Sequence, residues 1–177
     1  MIDVLDIDTP LTDRIGSTSV GNSYHECTKR IYQPAGFNAV TDGDDATSYN
    51  EKVGARVGNH CQISRKVVAV TTRARQSDTI GYSDEFAENL MVQVEQLRRD
   101  VEYISLSNQG SQADNGDATP GLIGGLNAWL TTNTERGVGG VDGGFANGAV
   151  TGATLGTPAA LSETNIRNVC QSIYDQG

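Results

Sequence analysis

This sequence has little apolar material from which to build a core. Only 37% of its 177 residues are hydrophobic and 6% are aromatic, so the core is expected to be thin for the length. Two explanations fit a thin core. Either the chain is extended and its apolar surface is completed by neighbours, or it is a piece of a longer protein. A predicted final helix over 163–174 is followed by Asp175, Gln176 and Gly177, where a turn and another element would be expected, which favours incompleteness as a contributing cause.

Long apolar runs and paired cysteines are also missing. No run approaches the roughly 18–20 apolar residues of a membrane-spanning helix, and the acidic start at residues 1–6 has no apolar region of a signal peptide. Cys27, Cys61 and Cys170 are odd in number and lack metal-site spacing, which predicts reduced thiols. We therefore expect neither a membrane protein nor a disulfide-linked secreted domain.

Basic charge is scarce. The chain has 13 Lys and Arg against 22 Asp and Glu, a net charge of −9, which argues against the basic face of a nucleic-acid binder. The three lysines, Lys29, Lys52 and Lys66, all lie in one predicted hairpin. Charge that protects an edge strand explains this placement, and so does contact with acidic neighbours.

Residues that could support catalysis or bind a metal do not form motifs. His25 and His60 are the only histidines, and neither has the spacing of a metal ligand. Asp42, Asp44 and Asp45 surround Gly43 without the glutamate that completes a calcium loop. No nucleophile elbow or phosphate-binding loop is present. We predict no catalytic residue, no metal ligand and no cofactor.

The strongest pattern that is present predicts one long amphipathic helix between Ser83 and Asn108. Ser83 is a candidate N-cap, and Asp84 and Glu85 suit the positive end of the helix dipole. Apolar side chains recur every three or four residues and form one stripe, which comprises Phe86, Leu90, Val94, Leu97, Val101 and Ile104. We predict that this stripe is the packed face of the helix.

Segments before this helix predict an arm and a hairpin. Residues 1–20 are polar and interrupted by Pro and Gly, which indicates an extended arm, with a free tail as the alternative. Residues 22–31 and 61–72 are rich in β-forming residues and predict two paired strands, with a turn-rich tip over 35–55.

Segments after the long helix predict a loop and a last helix. Residues 137–156 contain eight glycines and are expected to be a flexible loop. Ser162 is placed to cap a helix over 163–174. Together these segments indicate an α+β chain.

Four sequence blocks, in this order, resemble the major capsid proteins of tailed phages. They are NSYHECT (22–28), GNHCQISRKVVAVTTRA (58–74), SDEFAENLMVQVEQLRRDVEYISLSNQ (83–109) and GLIGGLNAWLTTN (121–133). Tyr-His-Glu near the start, Asn-x-Cys-Gln-Ile before the helix and Arg-Asp-x-Glu within it are similar to the group typified by the SU-ten phage. The resemblance covers residues 5–177.

The resemblance implies an α+β capsid fold of the Hong Kong 97 type in four parts. These are an N-terminal arm (1–20), an E-loop hairpin (21–75), the spine helix of the P-domain with its following loop (76–119), and the start of the A-domain (120–177). Because proteins of this group continue further, the A-domain is expected to be incomplete.

The implied function is structural and not enzymatic. The protein would be the major subunit of an icosahedral head, self-assembled from hexamers and pentamers around double-stranded DNA. Its implied partners are further copies, the portal, and a scaffold or decoration protein, with only non-specific contact to DNA and none to a membrane. Assembly is expected in the host cytoplasm, and the assembled protein in the virion. The side chains expected at contacts between subunits are Tyr24, His25, Glu26, Lys52, Arg56, Arg98, Arg99 and Asp100.

Two other functions stay open at this point. An encapsulin-like shell around a cargo enzyme would keep the fold and would need a groove for the cargo. A small metal-dependent enzyme would need His, Asp and Cys side chains that converge, for which the spacing gives no support.

Overall fold

The described part of the chain contains one long helix, four shorter helices and two separate two-stranded antiparallel sheets. The computed structural model describes residues 9–47, 49, 54–77, 84–158 and 160–176. In chain order the elements are α1 (Pro10–Arg14), β1 (Tyr24–Arg30), β2 (Gly54–His60), α2 (Thr72–Gln76), α3 (Glu85–Leu106), α4 (Leu126–Trp129), β3 (Gly144–Ala146), β4 (Ala149–Thr151) and α5 (Glu163–Gln176). The mixed α+β class is confirmed.

Strands β1 and β2 form the long hairpin. They pair antiparallel, with Tyr24 opposite His60 and Arg30 opposite Gly54. The prediction of the first strand is confirmed. The prediction of the second strand over 61–72 is wrong, because the pairing strand ends at His60.

The mispredicted segment runs extended along α3 and not beside another strand. Gln62 contacts Gln109, which lies three residues beyond the end of α3, and Lys66 pairs with Asp100 within the helix. Alternate side chains such as Ile63 and Val67 are 89% and 75% exposed. The side chains of this segment therefore alternate in exposure as those of a strand do. The segment packs on a helix, however, and a helix offers no backbone groups for the hydrogen-bond ladder of a sheet.

Helix α3 has 22 residues and is about 33 Å long at 1.5 Å per residue. The long helix is confirmed. Its N-cap is Asp84, whose carboxylate accepts a hydrogen bond from the Phe86 N–H at 2.9 Å. Ser83, the predicted cap, lies outside the described residues.

The glycine-rich stretch is a hairpin, so the prediction of a flexible loop over 137–156 is wrong. Strands β3 and β4 pair antiparallel, and isolated bridges extend the pairing through Val141 with Thr154 and Val138 with Thr157. The turn residues Asn147 and Gly148 have φ of 52° and 83°. Asn-Gly with both residues at positive φ is the preferred two-residue hairpin turn, a signal that the high glycine content obscured.

The two ends of the described chain are helical. Pro10 begins α1 at a position whose backbone N–H would have no partner within the helix. Residues 10–14 are therefore helical, and the prediction of an extended arm is wrong for them. Residues 1–8 lie outside the described residues. Helix α5 confirms the predicted final helix, and the Ser162 hydroxyl accepts a hydrogen bond from the Asn165 N–H at 3.3 Å, as expected of its cap.

The core is as thin as the composition indicates. Among the described residues, the buried apolar side chains are Ala128, Val150 and Ala153. The accessible surface is 14571 Å², whereas a compact monomer of 18.8 kDa exposes about 8,300 Å². Much of the surface that a monomer would bury is thus open on this chain.

Candidate assembly surfaces and the polar junction behind them

Side-chain amides join the foot of the β1–β2 hairpin to the end of α3. The Gln109 amide donates to Gln62 Oε1 and to the Ile123 carbonyl, both at 2.9 Å. Gln62 Oε1 also accepts from the Ile123 N–H at 3.2 Å. Three segments far apart in sequence therefore meet on two glutamines.

Two asparagines pair with backbone as a neighbouring strand would. Asn59 donates to the Gly124 carbonyl at 3.0 Å and accepts from the Gly124 N–H at 2.8 Å. Asn108 does the same with Ala153, at 2.6 and 2.7 Å. We call Asn59, Gln62, Asn108 and Gln109 the polar junction. It satisfies backbone groups that would otherwise be partly buried without partners.

Tyr24 fixes the hairpin against the β3–β4 turn. Its hydroxyl donates to the Gly148 carbonyl at 2.9 Å, and its ring lies 4.6 Å from that of His60. The ring crosses directly over Gly58, where a Cβ would lie 2.4 Å from the tyrosine. Glycine at position 58 thus makes room for this bridge.

Arg136 organises the glycine-rich region. Its guanidinium donates to Asn127 Oδ1 at 2.7 Å, to the Leu130 carbonyl at 3.0 Å and to Asp142 at 3.0 Å. The Thr134 hydroxyl and then Arg136, both hydrogen-bonded to the Asp142 carboxylate, hold its pKa below the usual value against a smaller effect of burial. Trp129 stacks on Phe145 beside this cluster, 6.0 Å between ring centroids.

Glu102 is the buried carboxylate of α3, at 7% exposure. It accepts hydrogen bonds from the N–H groups of Leu11 and Thr12, each at 2.8 Å, and from the Thr12 hydroxyl. Burial raises the pKa of this carboxyl, but the bonds from Thr12 and Leu11 outweigh burial and leave the pKa below its ordinary value. Arg98 adds an exposed ion pair with Asp13 at 3.3 Å.

The apolar stripe of α3 is only partly covered within the chain. Phe86, Leu90, Val94 and Val101 are between 38% and 50% exposed, while Leu97 and Ile104 are half-buried. Arg75 lies 5.8 Å above the ring of Phe86. The stripe offers a continuous apolar surface about 30 Å long.

Three of the eight side chains predicted at subunit contacts have close partners inside the chain. Tyr24 bonds to Gly148, Asp100 pairs with Lys66 at 2.6 Å, and Arg98 pairs with Asp13.

Four other predicted contact residues lie on exposed surfaces. Glu26 and Arg56 face each other across the hairpin at 4.0 Å, whereas His25 and Arg99 are exposed. Lys52 lies outside the described residues.

Sequence reasoning missed the residues of the polar junction, Glu102 and Arg136. Asn59, Gln62 and Glu102 do stand in the motifs that carried the resemblance, yet no role was assigned to them. The distant partners of these three residues are 47 to 91 residues away in the chain, so no local spacing identifies them. The one signal in the sequence was that these polar residues stand within or directly beside predicted strands and helices.

The described residues contain neither a cluster of candidate metal ligands nor a helix that could span a membrane. In those ranges no group of three or more His, Cys, Asp or Glu side chains is placed to hold a metal ion. Cys27, Cys61 and Cys170 are free and exposed. None of the helices there has both the length and the apolar character needed to cross a membrane.

Comparison with known families agrees with the resemblance seen in the sequence. The family model described as SU10 major capsid protein matches residues 1–177, whereas none of the curated proteins matches the chain. Major capsid proteins are structural proteins of the phage virion that associate with copies of themselves. The match covers the whole sequence, and the chain therefore belongs to the SU10 major capsid protein family.

Proposed function

We propose that this protein is the repeating subunit of an icosahedral phage head of the Hong Kong 97 type, which encloses double-stranded DNA. The observation that carries the proposal is the uncovered stripe of α3. Four of its six side chains are between 38% and 50% exposed, although a helix of this length usually buries its apolar face. A neighbouring subunit is the proposed cover.

The extent of the surface supports the same proposal. A subunit of a shell forms part of a thin wall and does not need to enclose a large interior of its own. Its own hydrophobic core can therefore stay small. The chain exposes 14571 Å², against about 8,300 Å² for a compact monomer of this mass. Interfaces repeated over many symmetric copies would bury the excess.

The order of the elements supports the four-part division that the resemblance implies. Residues 1–20 would be the N-terminal arm, 21–75 the E-loop, 76–119 the P-domain with its spine helix, and 120–177 the start of the A-domain. The polar junction supports this division, since it joins the hairpin foot, the end of α3 and the loop before α4. The polar junction would set the orientation of the E-loop hairpin relative to α3 and to the loop before α4.

Contacts between subunits are proposed at the exposed hairpin and along α3. Of the residues named for this role, His25 and Arg99 are exposed, and Glu26 with Arg56 forms only a long, exposed pair. Such pairs contribute little within a chain, so they can exchange partners at an interface. Tyr24, Arg98 and Asp100 would act there through the segments that they position, and Lys52 completes the set.

The net charge of −9 suits a container for DNA, because an acidic surface limits adhesion to the packaged polyanion.

The proposed partners are further copies of the chain in hexamers and pentamers, the portal, and a scaffold or decoration protein. Assembly would take place in the host cytoplasm.

The test is Val94→Asp. Val94 is 50% exposed, so the carboxylate costs the isolated subunit little, but burying it at an interface costs several kcal/mol, on the order of an unpaired buried charge. We expect a soluble subunit that fails to form shells in electron micrographs and sediments as a small species.

Val94→Leu is the matched control and should assemble, since it keeps the stripe apolar. Shells of normal size and yield from Val94→Asp would show that neighbouring subunits do not cover the stripe.

A further inference from the structure

Three hydrogen bonds between α1 and α3 converge on a single carboxylate. Glu102 accepts from the N–H groups of Leu11 and Thr12 at 2.8 Å, and also from the Thr12 hydroxyl. Leu11 and Thr12 lie in the first turn of α1, whose N–H groups have no partner within the helix. The negative charge also lies at the positive end of the helix dipole.

Little else in the described part of the chain holds this segment. Helix α1 has no buried residue, although Thr9 before it is buried. The Asp13–Arg98 pair is more than half exposed on both sides, and such pairs contribute little. Residues 15–23 are all exposed, so the segment is tied to β1 by a linker without buried contacts.

We propose that residues 9–14 form a detachable latch on α3, which is seated when Glu102 is ionised and released when Glu102 is neutral. The assembly consequence rests on the proposed function. A seated and a released latch would present two different surfaces of α3 to the next subunit, so the charge on Glu102 would regulate when that surface becomes available.

The charged groups around Glu102 do not change this assignment. Helix α1 contributes Asp13, already paired with Arg98, and the exposed Arg14. On α3 the nearby charges are Arg98, Arg99 and Asp100, and Asp100 is paired with Lys66 of the extended segment. The groups that contact the carboxylate itself are neutral donors.

The sign of the pH dependence follows from the pKa of Glu102. Its seated value is lowered, since the hydrogen bonds from Thr12 and Leu11 outweigh the burial that raises it. A released glutamate has a pKa of about 4.3. Seating is therefore fully favoured above that value and is lost as the pH falls through the lower pKa of the seated state.

Hydrogen exchange on the soluble subunit tests the latch directly. The Leu11 and Thr12 amides donate to Glu102, so their protection reports seating. In Glu102→Gln one carboxylate oxygen is replaced by an NH₂ group, which cannot accept a hydrogen bond from the donors of α1. We therefore expect hydrogen exchange of the Leu11 and Thr12 amides to accelerate about tenfold or more. Glu95→Gln, on an exposed part of α3, should exchange like the unaltered protein.

Trypsin gives a second readout. Arg14 is the first basic residue of the sequence and Lys29 the next, so cleavage after Arg14 removes residues 1–14 as one fragment of defined mass. Release of the latch should speed this cut in Glu102→Gln and leave it unchanged in Glu95→Gln. Equal protection and equal cleavage in both variants would overturn the proposal, as would equal loosening in both.

A pH titration of the unaltered protein keeps the test decisive if Glu102→Gln does not fold. Protection of Leu11 and Thr12 should be lost on acidification before that of α3 amides. Simultaneous loss would show that no separate latch exists. Because these measurements use the subunit before assembly, a working latch in a protein that forms no shells would contradict only the proposed function.

Discussion

At the scale of single residues, side-chain amides replace strand pairing where the segments of this molecule meet. Asn59 and Asn108 each donate to and accept from the backbone of one residue. A hydrogen bond of this kind contributes about 1 kcal/mol net, but leaving its buried partner unpaired costs more. Because the apolar core of this chain is so small, these few hydrogen bonds contribute an unusually large part of its folding free energy.

Gly58→Ala tests how tightly Tyr24 bridges the two hairpins. The new methyl group would lie 2.4 Å from the Tyr24 ring, so the ring must move and lose its bond to Gly148. We expect a loss of about 1–2 kcal/mol in the free energy of unfolding, measured by denaturant titration.

The same change in a Tyr24→Ala background should cost less than about 0.5 kcal/mol, because the clash is absent there. Gly21→Ala is the control, since a Cβ at that position meets no atom within 4 Å. Strictly additive losses for Gly58→Ala and Tyr24→Ala would contradict the bridge.

Residue roles were the part least open to prediction from sequence. Tyr24 and Asp100 were singled out, but the bond of Tyr24 to Gly148 and the pairing of Asp100 with Lys66 were not predicted. The hydrogen bond of Tyr24 spans 124 residues and those of Glu102 span 90 and 91. Periodicity and spacing report neighbours within one element, whereas these contacts depend on how elements are placed relative to one another.

At the scale of elements, sequence patterns were reliable where the element is long and periodic. Helix α3 and helix α5 follow from their apolar spacing, and α5 also from its Ser162 cap. Strand β1 follows from its β-forming residues. Residues 61–71 showed the right alternation but pack on a helix. Residues 137–156 were misjudged because glycine content was taken as flexibility, although several glycines there allow backbone segments to approach closely.

Arg136→Lys tests what orders the glycine-rich element. A lysine ammonium lacks the planar fork with which Arg136 reaches Asn127, Leu130 and Asp142 together. We expect faster hydrogen exchange across residues 138–157 and unchanged exchange in β1 and β2. Arg167→Lys, on exposed α5, is the control. Unaltered exchange across 138–157 in Arg136→Lys would show that β3–β4 pairing alone orders this region.

At the scale of the whole molecule, most of the chain is surface. Among the described residues, three apolar side chains are buried, and one long helix carries an uncovered stripe. A monomer built in this way is marginal, because burial of apolar area is the main source of folding free energy. A subunit of a shell can tolerate a small core, since its neighbours complete it.

Electron microscopy of the purified native protein, combined with sedimentation, tests the central claim most directly. We expect uniform icosahedral shells in which each subunit shows a helix about 33 Å long in contact with an adjacent subunit along its apolar stripe. A monodisperse small species, with no particles at any ionic strength, would contradict the claim that this chain is a self-assembling subunit of a shell.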